Sequence, residues 1–160
     1  MTYRYVIAIG SNRRGRHGAP TREVAAAIRA LGDVRAASPI LATAPLGPSI
    51  RRFANAVALI ETMETPPALL ARLKRLERDF GRRRGRRWGA RVIDLDIVLW
   101  SGGVWRAPAL AVPHRAFRER RFVLDCLLWI VPDWRDPVTG FSIRQLTYRA
   151  QAVDRRRARP

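Results

Sequence analysis

Two aspartates, Asp94 and Asp96, lie one residue apart in the apolar run RVIDLDIVLW, directly after an arginine-rich loop, GRRRGRRWGAR. Side chains alternate across a strand, so both carboxylates point to one face while Ile93, Leu95, Ile97 and Leu99 point to the other. Their Cα atoms would be roughly 6.6 Å apart. Two carboxylates so placed, alone on a sheet face, would repel each other and be poorly solvated. A hard divalent cation removes that problem, because Mg²⁺ takes oxygen ligands and commonly combines one or two carboxylates with substrate phosphates. Two ions held by the pair would suit phosphoryl transfer, and arginines beside them could hold phosphate oxygens bidentately, as lysine cannot. The plain alternative is an exposed strand whose aspartates merely pair with arginines between Arg82 and Arg91.

The elements that must carry these residues can be read outward from them. Residues 3–9, YRYVIAI, are β-branched and aromatic and end at the turn signal Gly10-Ser11-Asn12. In TREVAAAIRALG, Val24, Ala27, Ile28 and Leu31 recur at helical spacing, with Gly32 placed as a stop. Residues 34–43 could form a second strand, TAPLGPSIRR (43–52) is a proline- and glycine-bearing loop, and FANAVALIET (53–62) reads as a third strand. The clearest helix opens at Thr65, an N-cap type, with Pro66 at the first helical position. Leu69, Leu73, Leu76 and Phe80 share one face, and Gly81 ends it. RVIDLDIVLW is the fourth strand, and RERRFVLDCLLWI (118–130) is helical or mixed. The order β-α-β-β-α-β predicts an α+β fold: a ferredoxin-like core in which helices cover one face of an antiparallel sheet, plus extra C-terminal elements. The expected layout is one domain over 1–150 and a flexible basic tail over 151–160.

Composition narrows the function classes. The chain has 160 residues, enough for a core without staples, and carries a formal net charge of +18. Such a charge attracts polyanions, yet Lys74 is the single lysine and the arginines are spread along the chain, which also fits solvated surface. Cys126 stands alone, excluding an internal disulfide or a multi-cysteine zinc site, and His17 and His114 are too few and too separated for a zinc centre. No apolar run approaches bilayer-spanning length and the N-terminus reads as a strand, so the expected location is cytoplasmic, without a membrane partner. Neither GxxxxGK[ST] nor a strand-following GxGxxG occurs. The rival class is a nucleic-acid-binding module sharing this fold order. It needs an aromatic RNP1-type segment, which is missing, and the aspartates would repel a phosphate backbone, so no specific nucleic acid is expected.

Five separated blocks carry a resemblance. RRWGARVIDLDIVL resembles the RWGPRTLDLDIL signature of the 6-hydroxymethyl-7,8-dihydropterin pyrophosphokinases of folate biosynthesis. AIGSN (8–12), TAPLG with FANAV (43–47, 53–57), LERDFGRRR (76–84) and VPHRAFRERRFVL (112–124) are similar to further motifs of that family, in the same order. The resemblance implies transfer of pyrophosphate from ATP to the pterin hydroxymethyl group, with release of AMP. It implies Asp94 and Asp96 as ligands of two Mg²⁺ ions, and Arg82 and Arg91 as catalytic groups steadying the phosphates. The pterin would lie between Phe53 and Phe122, read by Asn55 with Thr43, Pro45 and Leu46 nearby, under a lid bearing Trp88. ATP would meet Glu77, Arg84, Arg87, Ile97, His114, Arg115 and Arg120. The partners implied are these two small molecules, with the protein a monomer. Some roles also follow from the residues: a flat, amide-rich ring suits two aromatic faces and an amide edge, and an asparagine in an apolar strand needs partners. Core packing is the alternative for Phe53 and Phe122, and a solvent-exposed pair with Lys74 or Arg78 is the alternative for Glu77. This sequence departs from the family at the arginine-rich loop 13–20, at Arg51-Arg52, at Ala90 in place of proline, at Arg115, and in slightly short loops at 47–53 and 82–88. An inactive relative serving as a binding protein is a third reading, opposed by retention of the aspartates, Arg82, Arg91 and Asn55.

Overall fold

The computed structural model describes residues 1–43, 52–81 and 91–158. Its elements are β1 (Tyr3–Ser11), α1 (Pro20–Leu31), β2 (Val34–Ala37), β3 (Leu41–Thr43), β4 (Phe53–Thr62), α2 (Pro66–Asp79), β5 (Asp94–Trp100), β6 (Trp105–Ala107), β7 (Leu110–Val112), α3 (Arg121–Ile130) and α4 (Ile143–Arg157). The main sheet has the order β2-β4-β1-β5, with β3 also on β4, and every pairing is antiparallel. This is the α+β, ferredoxin-like arrangement expected from the element order. β6 and β7 form a separate hairpin.

The expected second strand is two strands. Pro39 has no N–H to give a ladder, so pairing stops there. Ser38 bridges the break: its N–H donates to the Val57 carbonyl at 2.9 Å and its hydroxyl accepts from the Val57 N–H at 3.0 Å. α2 begins where expected, but the Thr65 side chain makes no capping bond; the Thr65 carbonyl accepts the Leu69 N–H instead, and Pro66 brings no orphan donor.

Two cores flank the sheet. On one face Tyr5, Ile7, Ile9 and the β4 alanines 54, 56 and 58 meet Val24, Ala27 and Leu31 of α1 and Leu69 and Leu73 of α2. Alanine at those β4 positions lets both helices close on the strands. On the other face Val6, Val57, Val98 and Leu99 pack under Val123, Leu124 and Leu127 of α3 and Ile143 and Leu146 of α4. The C-terminal elements are thus a second helical layer. Leu99 was expected on the α1/α2 side. The β1–β5 register shifts between Val6 and Ile7, leaving Val98 as an extra residue, so Leu99 turns into the second core opposite Val6 while Ile97 remains in the first.

The C-terminus also differs from expectation. α4 opens with a full capping box between Ser142 and Gln145 and continues to Arg157, so residues 151–157 are helical and not a tail. Arginines 155–157 in its last turn complement the helix dipole, and Asp154 pairs with Arg121 at 3.1 Å.

Candidate active site

Alternation on three adjacent strands puts one set of polar side chains under α3. Gly10 of β1 pairs with Asn55 on one side and Asp94 on the other, and Ala8 pairs with Asp96. Asn55, Asp94 and Asp96 therefore share a face, separated only by the glycine and alanine of β1. A Cβ on Gly10 would lie 3.1 Å from the Asn55 Oδ1, so glycine here makes room for that amide. A small cavity of about 50 Å³ lies over this spot, bounded by Gly10, Asn55, both aspartates, Arg120, Phe122 and Cys126. The sequence reading of an aspartate pair on one face holds in the structure.

The two carboxylates differ in surroundings. Asp94 accepts from the Arg91 Nη1 at 2.7 Å. Asp96 has His114 Nε2 at 3.8 Å and Arg120 Nη1 at 4.0 Å from its Oδ2. Burial, then the Asp94 carboxylate, pushes Asp96 above its ordinary value, while His114, Arg120 and Lys74 pull it down. The strain of like charges is the condition a bound cation relieves. Among the described residues no group of three or more His, Cys, Asp and Glu is placed to hold a metal. The donor set therefore fits a cation completed by oxygens of a phosphate substrate, as with Mg²⁺, and does not fit an all-protein cage.

Several residues position these groups. Asn12 clasps the backbone of Arg91 from both sides: its N–H donates to the Arg91 carbonyl at 3.1 Å, and its Oδ1 accepts the Arg91 N–H at 2.7 Å. The sequence marked Asn12 only as a turn residue. Glu77 is fully buried, and its carboxylate accepts the Leu95 N–H at 2.8 Å, between the two aspartates, and pairs with Lys74 at 3.2 Å. That settles Glu77 against an exposed helix position and gives β5 a partner on the edge where no strand among the described residues adjoins it. The 114–120 turn is tied to β5 by the His114 N–H on the Val98 carbonyl at 3.0 Å.

The remaining expected residues fall as follows. Phe53 opens β4 opposite Thr43 on β3, on the Asn55 face, and Phe122 lines the cavity from α3. The Ile97 side chain is 3 % exposed and lies in the first core, so any part it has in a site falls to its backbone on the sheet edge. Arg115 is exposed, and Arg120 stands at the start of α3 as its N-cap. Pro45, Leu46, Arg82, Arg84, Arg87 and Trp88 lie outside the described residues. Cys126 is buried, and burial pushes its thiol up, which leaves it a packing residue of the cavity wall.

Among solved structures, the chain is similar to a Plasmodium falciparum HPPK-DHPS variant with SDX-DHP, at a TM-score of 0.76 and 15 % identity over 99 % of this chain and 47 % of that one. It is also similar to the wild-type HPPK-DHPS of that organism with pteroate, at a TM-score of 0.71 and 15 % identity over 97 % of this chain and 43 % of that one. This chain spans about half the length of those proteins, and at such identity the likeness concerns the fold alone. Two curated relatives are nearer in sequence. A 2-amino-4-hydroxy-6-hydroxymethyldihydropteridine pyrophosphokinase of Pseudomonas aeruginosa is 39 % identical over 143 residues, covering 86 % of each chain. One of Haemophilus influenzae is 37 % identical over 133 residues, covering 79 % of this chain and 81 % of its own.

A ferredoxin-like sheet with paired carboxylates, matched along its length by pyrophosphokinases, defines the class as that of a diphosphokinase enzyme. The profile of 7,8-dihydro-6-hydroxymethylpterin-pyrophosphokinase (HPPK) matches residues 6–132, and the chain belongs to that family.

Proposed function

We propose that this protein transfers pyrophosphate from ATP to 6-hydroxymethyl-7,8-dihydropterin in folate synthesis, giving the pterin diphosphate and AMP. The observation that carries this reading is the shared face of Asn55, Asp94 and Asp96 across Gly10, beneath Phe122. An amide for a heterocycle edge and a carboxylate pair for cation-bound phosphates then lie on adjacent strands, as a reaction between a pterin alcohol and a triphosphate requires. The hydroxymethyl oxygen forms a bond to the β-phosphorus of ATP, the bond from that phosphorus to the α-phosphate oxygen breaks, and AMP leaves as the alcohol proton is released.

Asp94 and Asp96 would hold Mg²⁺, two ions in all, whose chemistry is to neutralise phosphate charge. Arg120 and His114 stand beside Asp96 where a phosphate chain held there would meet them. Asn55 supplies donor and acceptor to the pterin edge, and Phe53 and Phe122 its two faces. Arg91 pairs with Asp94 and reaches the same phosphates. Arg82, Arg84, Arg87, Trp88, Pro45 and Leu46 keep the roles implied by the family motifs, as do Thr43, Glu77, Ile97 and Arg115. The protein acts as a monomer in the cytoplasm; no helix among the described residues is long and apolar enough to cross a membrane.

Purified protein with Mg²⁺, ATP and the hydroxymethyl pterin is expected to release AMP, read by nucleotide chromatography. ADP as the product, or no turnover, overturns the assignment. Asp96→Ala is expected to lower turnover by about 10³-fold or more while circular dichroism stays that of the wild type. Retained activity in that variant would refute the metal role.

A further inference from the structure

The 114–120 turn that brings His114 and Arg120 beside Asp96 has its own strut. Arg118, between them, donates from Nε and Nη2 to the two carboxylate oxygens of Asp136, each at 2.7 Å. This is the fork geometry that fixes a guanidinium in both position and plane. Asp136 is 0 % exposed, in the loop between α3 and α4. Its carboxylate also accepts the Thr139 hydroxyl at 2.6 Å and the Val138 N–H at 3.1 Å. Its backbone is held at both ends, by its N–H on the Phe141 carbonyl and by its carbonyl under the Gly140 N–H. The acceptor end is therefore rigid. At the other end Phe117, 1 % exposed, anchors the turn in the second core, with the Arg118 guanidinium 4.6 Å from its ring centroid.

A buried ion pair of this kind adds little net stability after desolvation, and its best-attested service is to select one geometry. Here the geometry selected is that of a short segment with two cationic or neutral donors at its ends, each within about one contact of Asp96. We infer that the Arg118–Asp136 pair positions His114 and Arg120 against Asp96 and thereby sets the affinity for the phosphate-bearing co-substrate. The inference rests on the proposed reaction for its kinetic readout. Neither residue touches the cavity, so both are positioning residues.

The experiment compares wild type, Arg118→Met and Arg118→Lys in AMP release, with ATP and the pterin varied in turn, and records the histidine Cε1–H resonances at one pH without substrate. His17 and His114 are the two histidines, so the spectrum carries its own control. Arg118→Met is expected to raise KM for ATP about tenfold, the low end of what outer partners of such sites contribute, with KM for the pterin within about twofold. The His114 resonance shifts while that of His17 stays. Arg118→Lys, a point charge without the fork, gives an intermediate KM for ATP. A folded Arg118→Met with wild-type KM for ATP, or with both KM values raised equally, overturns the inference. Should Arg118→Met not fold, Arg118→Lys decides: a raised KM for ATP alone supports positioning and an unchanged one overturns it. If wild type releases no AMP, the proposed reaction fails by itself, and a His114 resonance unmoved in the folded variant overturns the positioning role separately.

Discussion

At the residue scale, the candidate site depends on what is missing from position 10 as much as on what is present at 55, 94 and 96. Gly10 sits between Asn55 and Asp94, and any side chain there presses on the amide that would read the pterin. Gly10→Ala is expected to raise KM for the pterin roughly three- to tenfold, because a shift of a few tenths of an ångström is enough to misalign a bound ring. The thermal midpoint should stay near that of the wild type. Steady-state kinetics with the pterin varied check this, and an unchanged KM would remove Gly10 from the site. The pair of aspartates was readable in the sequence because strand alternation alone fixes their common face. The clasp of Asn12 on Arg91 and the fork of Arg118 on Asp136 were not readable, since each joins residues far apart in the chain with no periodic pattern between them.

At the element scale, β5 is an edge strand, and an edge strand that carries the carboxylate pair needs a partner for its open side. α2 supplies it through Glu77 on the Leu95 N–H. Glu77→Ala leaves that N–H without its acceptor at a buried position and is expected to cost about 1–3 kcal/mol in urea unfolding. Because Leu95 lies between the aspartates, turnover should fall further, about 10- to 100-fold. A variant that loses stability but keeps full turnover would make Glu77 a purely structural group. β1, β4, α1 and α2 were legible from period and punctuation, and β4 spans the 53–62 expected of it. β2 and β3 look like one strand by residue type, and the break between them comes from Pro39, which has no N–H to donate. From the sequence no helix is expected over 143–157 and a tail is expected from 151, because an arginine run looks like a tail until Asp154 and the helix dipole are taken into account.

At the scale of the whole molecule, the sheet lies between two helical layers, and only the first was predictable. The α1/α2 layer follows from the split β-α-β order; the α3/α4 layer depends on apolar residues of β1, β4 and β5 whose second face looked half polar in the sequence. Both layers must hold for the sheet to stay dry, and Tyr5 reports on the first. It is 0 % exposed, its hydroxyl donates to the Glu64 carbonyl at 2.6 Å, and burial, then Tyr3 and Glu64, pushes its pKa up to about 12. An unfolded tyrosine ionises near pH ~10. Between those values the unfolded chain has released the proton and the folded one has not, so stability falls as pH rises through that window and the contribution is intact below it. The unfolding midpoint should therefore drop between pH ~10 and ~12 in the wild type and drop less in Tyr5→Phe. Parallel curves for the two proteins would mean that other groups dominate alkaline unfolding.

The extra residue at Val98 has a further consequence, for how this strand can vary in length. Upstream of it, even positions on β5 face the carboxylate side; downstream, Leu99 has taken that side and Trp100 has returned to the first core. The parity of the strand changes once, between its chemical half and its structural half. Loss of Val98 alone would restore regular pairing with β1, leaving Asp94, Asp96 and Ile97 where they are and Leu99 and Trp100 on their present faces. Loss of one more residue beyond it would turn every later side chain to the opposite core. The length of β5 is thus free to change by one residue at this single point, between the carboxylate pair and the strand end, and is constrained on either side of it.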